Sequence, residues 1–83
     1  MRVTIVPEDG LVAINDNGYS NLDLSFVPKD VHAVQWYGDN GEVEYKDSNG
    51  MATYNQSITS LNYLWYFDQC YQAWQEANSK AVK

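Results

Sequence analysis

Positive charge is scarce in this chain: 83 residues hold five Lys and Arg against eleven Asp and Glu, a formal charge of −6. Without a basic patch it does not read as an ordinary binder of phosphate backbones. Long apolar runs are also missing, so no segment reads as a membrane span. Cys70 stands alone and cannot form an internal disulfide. Leu, Ile, Val and Phe total 18 of the 83 residues, little above the composition of a disordered chain. Ten Tyr and Trp residues make up the deficit. Each buries a large apolar area and still offers a polar tip, so the expected core is aromatic. A chain of this length is expected to fold as one domain spanning residues 1–83.

The opening MRVTIVPEDG has one Arg and a short apolar stretch broken by Pro7, Glu8 and Asp9. A secretory signal needs a longer apolar region and a small-residue cleavage site. With a lone cysteine besides, the chain is expected to be made in, and kept in, a reducing cytoplasm. Its acidity favours solubility, repels nucleic acid and anionic lipid, and suits a basic partner surface.

Turn dipeptides divide the first fifty residues: Asp9-Gly10, Asn17-Gly18, Asn40-Gly41 and Asn49-Gly50. Such pairs tolerate the positive φ that tight hairpins require. Between them lie short runs rich in Val, Ile, Thr, Tyr and Trp, which read as strands over about 2–6, 11–15, 31–37 and 42–46. If Pro7–Gly10 forms the first loop, Ile5 faces Val12 and Val3 faces Ile14, all on one face. With Asn40-Gly41 at the tip of the second hairpin, Trp36 pairs with Tyr45, Tyr37 with Glu44 and Gln35 with Lys46. One face then carries His32, Val34, Trp36, Val43 and Tyr45. Residues 19–30 read as a loop in which Leu22, Leu24 and Phe26 alternate and dock on the core. Residues 51–54 read as a short edge strand.

No Gly or Pro follows Gly50, and from Thr59 the period becomes helical, with a helix expected over about 60–78. Thr59 or Ser60 suits its N-cap. On a helical wheel Leu64, Phe67, Tyr71 and Trp74 form the buried stripe. The architecture is then α+β: a small antiparallel sheet of about four strands in two hairpins, packed against one C-terminal helix.

The search for chemistry excludes more than it finds. His32, the one histidine, sits on the expected core face and reads as a packing residue. Cys70 has no activating motif around it and reads as a small buried thiol. Residues 45–50 have the rhythm of a calcium loop at Asp47, Asn49 and Gly50, but Tyr45 and Gln56 stand where the two essential acids belong. No Gly-rich phosphate loop opens the helix. Catalytic, cofactor and metal sites are therefore expected to be absent. Two surfaces remain. Tyr63-Leu64-Trp65-Tyr66-Phe67 is apolar almost all round, so on a helix Trp65 and Tyr66, with Tyr63, point away from the sheet. Exposed Trp and Tyr suit a contact with a protein partner or a second copy of the chain. Asp39, Glu42, Glu44 and Asp47 form an acidic ridge on the second hairpin, the second candidate surface.

The stretch from Asp23 to Tyr45, DLSFVPKDVHAVQWYGDNGEVEY, resembles a family of small tailed-bacteriophage proteins of uncharacterised activity. Their shared pattern is an N-terminal strand, a core of the form DLS…P…VHAVQW…GEVE, and a short C-terminal helix containing Trp. Asp23-Leu24-Ser25, Pro28, Val31 to Trp36, Gly41 to Glu44 and Trp74 carry the likeness; residues 63–67 lie outside it. Such proteins tend to be encoded near virion and tail genes. The resemblance therefore implies a phage origin and a structural or assembly role in the virion or tail, after synthesis in the host cytoplasm. It implies no enzymatic activity. The alternative expectation, resting on acidity, is a small inhibitor of a host defence or regulatory complex.

Overall fold

The computed structural model describes residues 1–81. Six strands, β1 (Val3–Val6), β2 (Leu11–Ile14), β3 (Asn17–Tyr19), β4 (Val31–Trp36), β5 (Gly41–Lys46) and β6 (Ala52–Ile58), precede one helix, α1 (Phe67–Ala81). All pairings are antiparallel, in the order β3-β2-β1-β4-β5-β6. The architecture is α+β as expected, with six strands where about four and a short edge strand at 51–54 were anticipated; β3 is the strand not foreseen.

The first hairpin has the expected register, Val3 opposite Ile14 and Ile5 opposite Val12. Its loop Pro7–Asp9 is a single 3₁₀ turn closed by Gly10 at φ 61°. A side chain there would be strained by that φ and would also meet the Leu22 carbonyl oxygen at 2.5 Å. Leu22 donates its N–H back to the Gly10 carbonyl, which draws the 19–30 loop onto the sheet. Leu24 and Val27 are buried, with Leu22 and Phe26 packed beside them. Within that loop the Ser25 N–H donates to the Asp23 carboxylate at 3.1 Å. Hydrogen bonding from Ser25 holds the carboxyl below its ordinary range, so the Asp-Leu-Ser motif folds a local turn.

Three expectations about register and turns are corrected. Asn17-Gly18 is not a turn: the chain reverses at Asn15-Asp16, with Asn15 at φ 56°, and Asn17 and Gly18 belong to β3. In the second hairpin Trp36 pairs with Gly41 and Gln35 with Glu42, four residues away from the expected partners Tyr45 and Lys46. The connection is Tyr37–Asn40, closed by Tyr37 N–H to the Asn40 carbonyl, and Gly41 starts β5. Its bare Cα accommodates the Trp36 ring, since a Cβ would come within 3.0 Å of it. An even shift preserves facing, so Val34, Trp36, Val43 and Tyr45 still share the core face. His32 does not share it. It is the extra residue of a β-bulge between Val31 and Ala33 and is exposed.

The helical expectation is corrected most. Residues 61–63 form a 3₁₀ turn capped by the Ser60 hydroxyl, which accepts from the Asn62 N–H at 3.1 Å. Residues 64–66 leave helical geometry, and α1 begins only at Phe67. It lies over β2 and β3, where the Trp74 indole donates to the Asn17 carbonyl at 2.8 Å and the Tyr19 hydroxyl to Asn78 Oδ1 at 2.8 Å. Phe67, Tyr71 and Trp74 stack in sequence with centroids 5.9 Å apart. Val3, Ile5, Val12, Ile14, Val34, Trp36, Val43 and Leu64 are buried as expected, while Tyr45, Phe67, Tyr71 and Trp74 are half-buried around them.

Candidate protein-contact surface

Because α1 sits over the β2–β3 end, the same face of the sheet is left without a helix at its β5–β6 end. Val43 opposes Gln56 there, so Gln56 and Ile58 share the core face. The register slips between Glu44 and Lys46, and Tyr54 lands on that face too, stacked on Tyr45 with centroids 4.7 Å apart. The Tyr45 hydroxyl donates to Gln56 Oε1 at 3.1 Å. Partial desolvation raises the Tyr45 phenol above its ordinary pKa. Residues 61–66 form the opposite wall. Between wall and strand runs an open groove of about 330 Å³, lined by Pro28, Asp30, Tyr45, Gln56, Tyr63 and Trp65 among others.

The three expected aromatic contact residues separate. Tyr63 and Trp65 are 67% and 65% exposed on the groove wall, whereas Tyr66 is 4% exposed. The expectation that Tyr66 faces outward is thus overturned. It assumed a helix through 63–67, and the non-helical backbone at 64–66 lets Trp65 and Tyr66 diverge, with their rings edge to face at 5.5 Å. The Tyr66 hydroxyl is buried with no hydrogen-bond partner among the described residues. Desolvation, with Tyr45, Cys70 and Asp30 nearby, pushes its pKa well above the usual value.

The acidic ridge is drawn out into separate groups. Glu42 and Glu44 share the face of β5 away from the core, opposite Ser57 and Asn55. Asp39 lies in the turn before β5 and Asp47 in the turn after it. The six residues of β5, about 20 Å of extended chain, lie between them. Asp47 is also occupied, accepting from the Asn49 N–H at 2.9 Å and the Met51 N–H at 3.0 Å. That is a turn-closing role, and no convergent carboxylate cluster results.

Cys70 is fully buried, and burial pushes its thiol up to about 12. At neutral pH it is a protonated core group, not a thiolate nucleophile. Among the described residues no three His, Cys, Asp or Glu side chains gather as metal ligands, and no helix is long and apolar enough to cross a membrane.

What the sequence reading missed is the length and openness of β6. It runs seven residues, of which six are exposed, where a four-residue edge strand was expected. The signal was present in the Thr, Tyr and Ile of 53–58, diluted by Asn55, Gln56 and Ser57. In comparisons with known proteins, no family model, no curated protein and no solved structure matches this chain.

Proposed function

We propose that this is a non-enzymatic protein that works by protein–protein contact through the aromatic groove beside β6, as a small virion- or tail-associated component of a tailed bacteriophage. The observation that carries the contact reading is the company of three aromatics each more than 60% exposed: Tyr63 and Trp65 line the groove, and Tyr54, on the open strand beside it, stacks on the groove-lining Tyr45. Large aromatics left in water at one place are costly unless a partner covers them. The phage assignment rests on the likeness of Asp23–Tyr45 to the phage family, whose motif forms the β4–β5 hairpin and the turn at Asp23.

Mass spectrometry of purified virions tests the assignment: the chain is expected at a fixed stoichiometry to the other structural proteins. Capture by a tagged chain is expected to be lost with Tyr63→Ala/Trp65→Ala and to survive raised salt. The charge of −6 favours a second reading, an acidic inhibitor of a host complex. Absence from virions, with salt-sensitive capture of a host complex early in infection, selects it instead.

A further inference from the structure

We infer that the first occupant of this surface is a second copy of the chain, with β6 pairing antiparallel to β6 about a twofold axis at Gln56. The inference rests on the contact reading above and names its partner.

The argument starts with the two edges of the sheet. β3 has three residues and is held by Trp74 and Asn78 of α1 through the hydrogen bonds to Asn17 and Tyr19. β6 has seven residues and no third strand beside it. Natural edges are guarded by charge, proline, bulges, shortness or a cover. From Ala52 to Ile58 there is no charge and no proline, and the register slip near its start leaves Tyr54–Ile58 as a regular run. One open edge per chain gives a closed pair, as twofold symmetry requires.

The side chains agree with that axis. Pairing about Gln56 sets Tyr54 of one copy opposite Ile58 of the other, an aromatic against a β-branched residue on the core face. Ile58 lines the groove with Tyr63 and Trp65, so the incoming Tyr54 ring enters the space those two side chains flank. The two Gln56 amides meet at the axis. Each Oε1 already accepts from Tyr45, which leaves the amide N–H groups to donate across it. On the other face Asn55 lies opposite Ser57 of the second copy, neutral against neutral.

Charge points to the same place. Two chains of −6 repel, and β6 is where they can approach with none of that charge between them. The carboxylates aligned across the axis, Glu44 of one copy and Glu42 of the other, would be separated by three strand spacings, about 14 Å, beyond a Debye length of about 8 Å at physiological salt.

Sedimentation equilibrium of the full chain from micromolar to millimolar concentration is the test. The wild type is expected to pass from monomer to dimer, with no larger species. Asn55→Lys/Ser57→Lys places the introduced lysines opposite one another twice across the axis, while each faces Glu44 or Glu42 within its own chain, so the fold is kept. Dimerisation is expected to weaken by about tenfold or more. Asn55→Lys/Ser57→Glu makes both cross-axis pairs opposite in charge and is expected to restore it. A wild type monomeric throughout, or a dimer indifferent to Asn55→Lys/Ser57→Lys with circular dichroism unchanged, overturns the inference. A monomer that still captures a virion protein through Trp65 overturns self-pairing and leaves the contact function standing; a dimer that captures nothing does the reverse.

Discussion

Tyr54 of β6 lies on Tyr45 of β5, ring planes 21° apart, and yet Tyr54 keeps 61% of its surface exposed. The pair marks where the sheet outruns its helix. Toward β2 and β3 the aromatic stack Phe67-Tyr71-Trp74 covers the core face. Toward β6 the cover is residues 61–66, and Tyr54 stands open beside it.

Replacing both Tyr63 and Trp65 by Ala should cost folding no more than about 1.5 kcal/mol, the loss of the Trp65 edge-to-face contact with Tyr66. Association should fall sharply in the same protein. Urea unfolding with a concentration series separates the two effects. A large loss of stability would place these side chains in the core instead of on a contact surface.

Tyr66 gives the opposite pattern. Tyr66→Ala removes a buried ring and should cost about 3–5 kcal/mol. Tyr66→Phe keeps the ring and removes a buried hydroxyl that has no partner, so it should be neutral or stabilising by about 1 kcal/mol. A clear destabilisation by Tyr66→Phe in urea unfolding would show that the hydroxyl is hydrogen-bonded in solution.

Much of this fold was legible in the sequence. The first hairpin followed from its alternation and its Pro-Glu-Asp-Gly loop, because Val3, Ile5, Val12 and Ile14 leave one choice of buried face. In the second hairpin the faces of Val34, Trp36, Val43 and Tyr45 were readable but the register was not. A four-residue turn and a two-residue turn differ there by an even shift, and the pattern is blind to it. The contact site was half legible. Trp65 and Tyr66 stood out as surplus aromatics, with Tyr63 beside them, and Trp65 and Tyr63 are exposed, but the break at 64–66 that buries Tyr66 is a tertiary effect without a Gly or Pro to announce it. Tyr54 was missed because an edge strand open to water on both faces shows no hydrophobic alternation.

Alkaline pH should destabilise the fold. The Cys70 thiol rises from an ordinary 9.0 to about 12 through burial, and burial also raises Tyr66. Above pH 9 the unfolded chain loses a thiol proton that the folded chain keeps, so stability falls as pH rises toward 12. Below pH 9 this contribution is fully present. Unfolding free energies measured between pH 8 and 11 should show the decline, with a shallower slope in Cys70→Ala. In the native state the thiol should resist modifying reagents that label the unfolded chain.

Gly41 opposes Trp36, and a Cβ there would run into the Gln35 carbonyl and the Trp36 backbone and ring. Gly41→Ala should therefore cost about 1–3 kcal/mol by overpacking, although Ala has the better intrinsic propensity. Thermal unfolding checks this, and an unchanged midpoint would require a looser β4–β5 turn than the one described.

Amide hydrogen exchange of β6, read residue by residue at low and high protein concentration, bears most directly on the central claim. If the open edge is a contact surface closed by a second copy, alternate amides of Tyr54–Ile58 should gain protection as concentration rises, while those of β3 do not change. Exchange along β6 that is independent of concentration, in a protein whose tryptophan fluorescence is equally indifferent, would contradict it.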